Sequence, residues 1–168
     1  FLQVEGAKEV GVEVHSMSKG FNMIGWRMGF VAGHAKIVQA FADVKDNSDS
    51  GQFMAIQQAA AAALRMPEIP VQVREKYRRR LGKLVAVLND LGFGCTMPKG
   101  TYFLYARAPK SAGGKTFANA EEASQYLITE QSVCCVPWDD AGSFLRFSAT
   151  YIAKDEAEED ALMAETKA

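Results

Sequence analysis

The stretch that most limits what this chain can become is residues 14–30, Val14-His15-Ser16-Met17-Ser18-Lys19-Gly20-Phe21-Asn22-Met23-Ile24-Gly25-Trp26-Arg27-Met28-Gly29-Phe30. Apolar runs flank a short polar segment that holds two serines and a lysine, and an arginine follows further on. Gly11 to Val14 and Trp26 to Val31 are rich in β-branched and aromatic residues, which predicts two strands with Lys19 in their connection. Connections between strands are where folds place working residues. Two hydroxyls, an ammonium and a guanidinium on one loop suit a phosphate-bearing ligand. The arginine fork grips phosphate bidentately, and hydroxyls and loop amides add donors.

The rest of the chain reads as alternating helices and strands. Ala35, Ile37, Val38 and Phe41 recur at helical spacing after Gly33 and predict a helix from His34 onward. Asp46 to Gly51 is a polar loop whose Asp49 or Ser50 is expected to cap a helix over residues 52–64, where the alanine run favours helix. Pro67 and Pro70 mark a boundary. Beyond them residues 71–91 predict one long helix with Val73, Tyr77, Leu81, Leu84 and Leu88 on its inner face. Its basic residues Arg74, Lys76, Arg78, Arg79 and Arg80 read as a solvated face rather than a nucleic-acid patch. Gly92 and Gly94 close that helix. Residues 95–97 and 101–106, separated by Pro98-Lys99-Gly100, carry a hairpin-like signal. Asn119 is expected to cap a helix over residues 120–130 with Glu121 and Glu122 in its first turn. Two short strands then bracket Asp139-Asp140-Ala141-Gly142. A last helix over residues 154–164 is expected to turn Ile152, Ala157 and Leu162 inward.

Arg146 lies within the second of those strands, between Leu145 and Phe147, so alternation turns its side chain to the opposite face. It is either an edge arginine facing water or a carboxylate-gripping fork.

Ser16-Met17-Ser18-Lys19 followed by Asn22-Met23-Ile24-Gly25-Trp26-Arg27-Met28-Gly29 resembles the lysine signature of the fold-type I, class I/II pyridoxal-phosphate enzymes of the aspartate aminotransferase type. That resemblance implies an α/β fold, and here its C-terminal part: the end of a large cofactor domain over residues 1–66, then a linking helix and small α/β domain over residues 67–168. It implies pyridoxal 5'-phosphate as cofactor, held by Lys19 as a Schiff base, with Ser16, Ser18 and Arg27 on the phosphate. Leu145-Arg146-Phe147-Ser148 matches the position of the family's substrate arginine. The implied activity is transfer of an amino group between an amino acid and a 2-oxo acid. Residues 1–66 would expose apolar surface unless another chain covers it, which predicts a homodimer or larger assembly. Val136 to Gly142 and Lys45 to Gly51 are similar to the diaminopimelate aminotransferase branch.

The family's chains are longer, with the lysine past the middle, so this chain is expected to be one part of such an enzyme and inactive by itself. Two other readings stay open. One is a non-catalytic unit that serves folding or dimerisation. The other is a lyase, decarboxylase or racemase outcome on the same fold.

Composition excludes several classes. A net charge of −1 gives no electrostatic basis for binding nucleic acid or an anionic membrane. No apolar run reaches the roughly eighteen residues that span a bilayer, and Phe1 to Gly6 lacks the features of a secretory signal. Cys95, Cys134 and Cys135 do not form a disulfide framework, which points to reduced thiols and the cytoplasm. His15 and His34 show no ligand spacing with them, so no metal site is expected.

Overall fold

In the computed structural model, which describes residues 1–167, the chain divides into two units, Phe1–Arg74 and Glu75–Ala168. The first contains α1 (Ala7–Val10), β1 (Val12–Ser16), α2 (Met17–Gly20), a 3-10 turn (Ile24–Trp26), β2 (Gly29–Gly33), α3 (Ala35–Asp46) and α4 (Met54–Ala63). The chain passes into the second unit within α5 (Glu68–Asp90). There follow β3 (Phe103–Arg107), the small hairpin β4 (Ser111–Ala112) and β5 (Lys115–Thr116), α6 (Ala120–Gln131), β6 (Val136–Trp138), β7 (Phe144–Ser148) and α7 (Glu156–Lys167).

β1 and β2 pair antiparallel, with Ser16 opposite Gly29 and Val12 opposite Gly33. The close approach of the strands depends on glycine: a Cβ on Gly29 would lie 2.6 Å from the His15 carbonyl oxygen. Gly25, in the same motif, has open space around it and no such constraint. The second strand starts three residues later than expected. Arg27 sits at φ +52, outside the extended region, so no strand can run through it.

In the second unit β3, β7 and β6 form an antiparallel sheet in that order. One face carries Leu104, Ala106, Leu145 and Phe147, all buried. They share a core with Leu81, Leu84, Val87 and Leu88 of α5, Ala120 and Ala123 of α6, and Met163 of α7. Asn119 caps α6 as expected, its side-chain oxygen accepting the Glu122 N–H at 2.9 Å. Gly92, at φ +87, ends α5 in the left-handed conformation that glycine adopts without penalty.

Five expectations fail for identifiable reasons. α5 begins at Glu68, not after Pro70, because amides in a first helical turn have no intrahelical acceptor and a proline there loses nothing. Phe53, without a side-chain cap, precedes α4. Asp49 is engaged elsewhere, paired with Lys45 at 2.7 Å and accepting the Gly51 N–H at 2.7 Å. Residues 95–97 form no strand: the Asn89 side chain takes the Cys95 N–H at 2.6 Å and donates to the Cys95 carbonyl at 3.0 Å, so β3 pairs with β7 instead. Arg80 is not part of a solvated face. It is 4% exposed and donates to Glu159 Oε1 at 2.7 Å and to the Tyr151 carbonyl at 2.6 Å. α7 accordingly turns Glu159 and Met163 inward, whereas Ile152 is 92% exposed.

Candidate functional site

The candidate residues fall into two groups, one in each unit. In the first unit the group is built on the β1–β2 connection. Ser16 ends β1 in extended conformation, and its Oγ accepts the Ser18 N–H at 3.2 Å, capping the short turn α2. Met17, fully buried, anchors that turn in a core with Met23, Ala60 and Ala63. Its N–H donates to the Met28 carbonyl at 3.0 Å and its carbonyl accepts the Met23 N–H at 3.2 Å, which tie both sides of the connection together. Ser18 is buried at 7% exposure, and Lys19, the next residue, is exposed. The lysine therefore rides on a pinned turn, not on a loose loop.

Arg27 follows the 3-10 turn with its backbone in the left-handed region, costly for a residue with a Cβ. Two contacts hold it there: its Nη1 donates to the Ile24 carbonyl at 3.2 Å, and its own carbonyl accepts from Gln52 Nε2 at 3.2 Å. Non-glycine residues kept in such conformations cluster at functional sites. This strain is the signal that the sequence does not display. Between Val14 and Ala42 there is no aspartate or glutamate. The side chains on offer are Ser16, Ser18, Lys19 and Arg27, hydroxyl and cationic donors that match the oxygens of a phosphate.

Arg146 belongs to the second unit. It lies on β7, the central strand, opposite Tyr105 of β3 and Val136 of β6. Leu145 and Phe147 are buried on the core face, so Arg146 stands on the other face, as alternation requires. Its guanidinium carbon lies 4.4 Å from the centre of the Phe103 ring and 5.4 Å from that of Trp138. Its Nε is buried and has no hydrogen-bond partner among the described residues. No carboxylate is paired with it among the described residues. A cation so placed offers hydrogen-bond donors to a planar anion. Arg107, on the same face two residues along β3 from Tyr105, lies 5.3 Å from the Phe144 ring centre.

The sequence model of the family described as "Aminotransferase class I and II" matches residues 2–161. The chain is 56% identical over 156 residues to the LL-diaminopimelate aminotransferase of Methanocaldococcus jannaschii, which covers 93% of this chain and 37% of that protein. It is 52% identical to the LL-diaminopimelate aminotransferase of Methanococcus maripaludis, over 99% of this chain and 42% of the relative. This chain thus spans well under half the length of these curated relatives. Among solved structures, substrate-bound BacF of Bacillus subtilis superposes with a TM-score of 0.82 at 33% identity, covering 99% of this chain and 42% of that one.

Proposed function

This chain belongs to the aminotransferase class I and II family, and we propose that it supplies the lysine, the phosphate cup and the substrate arginine of a pyridoxal-phosphate-dependent aminotransferase. Its fold is part of the mixed α/β fold of solved aminotransferases. The observation that carries the proposal is the strained, doubly tethered Arg27 beside the pinned lysine turn, in a connection free of carboxylates. In this reading residues 1–66 end the large cofactor domain, and residues 67–168 are the linking helix and small domain.

Ser16, Ser18 and Arg27 would hold the phosphate of pyridoxal 5'-phosphate, and Lys19 would supply the amine for its aldehyde. The bound cofactor supplies an electron sink for the substrate's α-carbon. Arg146 neutralises the α-carboxylate and orients the substrate through a planar fork. Lys19 Nζ, as a free amine, would be the base placed to take the substrate's α-proton. The substrates are an amino acid and a 2-oxo acid. The names of the relatives favour diaminopimelate as the amino acid.

The same reading includes a homodimer in the cytoplasm. It is supported by the apolar side chains the first unit exposes, Val14 at 79% among them with Val10 and Phe53, and by three free cysteines. Among the described residues no helix is long and apolar enough to cross a membrane. A stable, non-aggregating monomer in sedimentation would count against the dimer.

The cofactor assignment is tested by mixing the chain with pyridoxal phosphate, reducing with borohydride and mapping the modified lysine by peptide mass. Label concentrated on Lys19 and lost in Arg27→Ala supports the cup. Label scattered over surface lysines, unchanged by that substitution, overturns it for this chain.

A further inference from the structure

We propose that Phe103 and Trp138 are positioning residues for Arg146: the two rings hold the guanidinium plane and seal its Nε edge, leaving the Nη1–Nη2 edge to meet a carboxylate. This rests on the assignment of Arg146 to the substrate carboxylate.

The geometry comes from the sheet itself. β7 is the central strand, so Arg146 has a neighbouring strand on each side. Phe103 pairs with Ser148 on β3, and Trp138 pairs with Phe144 on β6. These partners lie two residues to either side of Arg146 along β7, so both rings stand on its face of the sheet at diagonal positions. Diagonal neighbours are within reach of aromatic and long side chains. The guanidinium carbon is within cation–π range of both rings, at 4.4 and 5.4 Å. Trp138 is fixed in turn. Tyr105 meets it edge-on, with ring centres 6.0 Å apart at 84°. The next residue, Asp139, accepts the backbone N–H groups of Ala120 at 2.8 Å and Glu121 at 3.2 Å, which fastens the end of β6 to the start of α6.

A flexible arginine would ordinarily be held by a carboxylate, but such a partner would compete with the substrate for the same fork. Aromatic faces hold the cation while leaving its hydrogen-bonding edge unspent, because the attraction acts on the π face rather than on the N–H groups. The buried, unpartnered Nε fits this division: one edge of the fork is given up to the rings. Arg107 provides an internal contrast. It lies over a single ring, Phe144, and is exposed.

The test is made on this chain by nuclear magnetic resonance of the arginine Nε–Hε groups, with pyruvate, a 2-oxo acid with one carboxylate, as the probe. The Arg146 signal, identified by its loss in Arg146→Lys, is expected to exchange slowly with solvent, unlike that of Arg107. Pyruvate is expected to shift the Arg146 signal and to bind Arg146→Lys much more weakly. Trp138→Ala and Phe103→Ala should each remove the slow exchange and raise the pyruvate dissociation constant about tenfold. Trp138→Phe should restore both. If Trp138→Ala does not fold, Phe103→Leu keeps an apolar side chain but no π face and carries the comparison. If Arg146→Lys loses pyruvate while the ring variants keep both the signal and the affinity, the positioning role is overturned and the carboxylate assignment stands. If pyruvate leaves the Arg146 signal unmoved, or moves Arg107 instead, the carboxylate assignment itself fails.

Discussion

Replacing Glu159 with glutamine removes one charge from the centre of the second unit and tests how α7 is held to α5. The carboxylate is 1% exposed. It accepts from Arg79 at 3.1 Å through both Nε and Nη2 and from Arg80 Nε at 2.7 Å, with Lys83 Nζ 3.4 Å away. Arg80 is itself buried and also bonds the Tyr151 and Ala153 carbonyls, so the segment between β7 and α7 hangs on it. In Glu159→Gln an amide NH2 faces guanidinium donors and the buried Arg80 cation loses its counter-charge. Breaking a buried pair from one side costs about 3–5 kcal/mol. A unit of this size shifts its midpoint by about 4–8 °C per kcal/mol, so thermal unfolding followed by circular dichroism should fall by at least about 12 °C at pH 7.

The pH dependence gives the sign. Hydrogen bonds from Arg79 first, and then Arg80, outweigh burial and hold the Glu159 pKa down at about 2, against an ordinary value of 4.5. A depressed carboxylate contributes stability that is complete above its unfolded pKa and is lost as the pH falls through the folded one. The gap between the unsubstituted chain and Glu159→Gln should therefore be constant from neutral pH down to about 5 and close progressively between 4.5 and about 2. A gap below about 1 kcal/mol at pH 7, the range of an exposed pair, or one that does not close with acid, refutes the reasoning.

Three further outcomes follow from the same structure. Arg27→Gly relieves a left-handed backbone and should leave thermal stability unchanged or raise it by about 1 kcal/mol, while abolishing the Lys19 label; a substantial loss of stability instead would make Arg27 a structural residue. Gly29→Ala forces a Cβ to 2.6 Å from the His15 carbonyl oxygen, so amide exchange protection across β1 and β2 should be lost, and unchanged protection would show that the strands can part at no cost. With a thiol reagent, exposed Cys134 should react at once, whereas Cys95 and Cys135, whose thiol pKa values burial pushes up, should react only on unfolding; three equal rates would contradict their burial.

Local signals carried much of this protein's description. The hairpin around Lys19, the Asn119 cap, the glycine stop at Gly92 and the face on which Arg146 stands all follow from propensity and from a period of two, which neighbouring residues fix among themselves. The spacing of serines, lysine and arginine marked the candidate site for the same reason, since a connection between two adjacent strands brings its own residues together.

What tertiary structure decided are pairings between distant segments, for which one sequence holds no local cue. Arg80 looked like one more basic residue on a helix face, and only α7, arriving almost eighty residues later, turned it inward by offering Glu159. The segment from Cys95 to Met97 could have been a strand, but Asn89 engaged its backbone first. Trp138 and Phe103 gained their place beside Arg146 only when β7 took the centre of the sheet. Register across strands is set by the whole core, where Leu104, Leu145 and Phe147 must be buried together. Burial of those residues and pairing of the buried charges were satisfied by contacts remote in sequence, and they fixed what local preference left open.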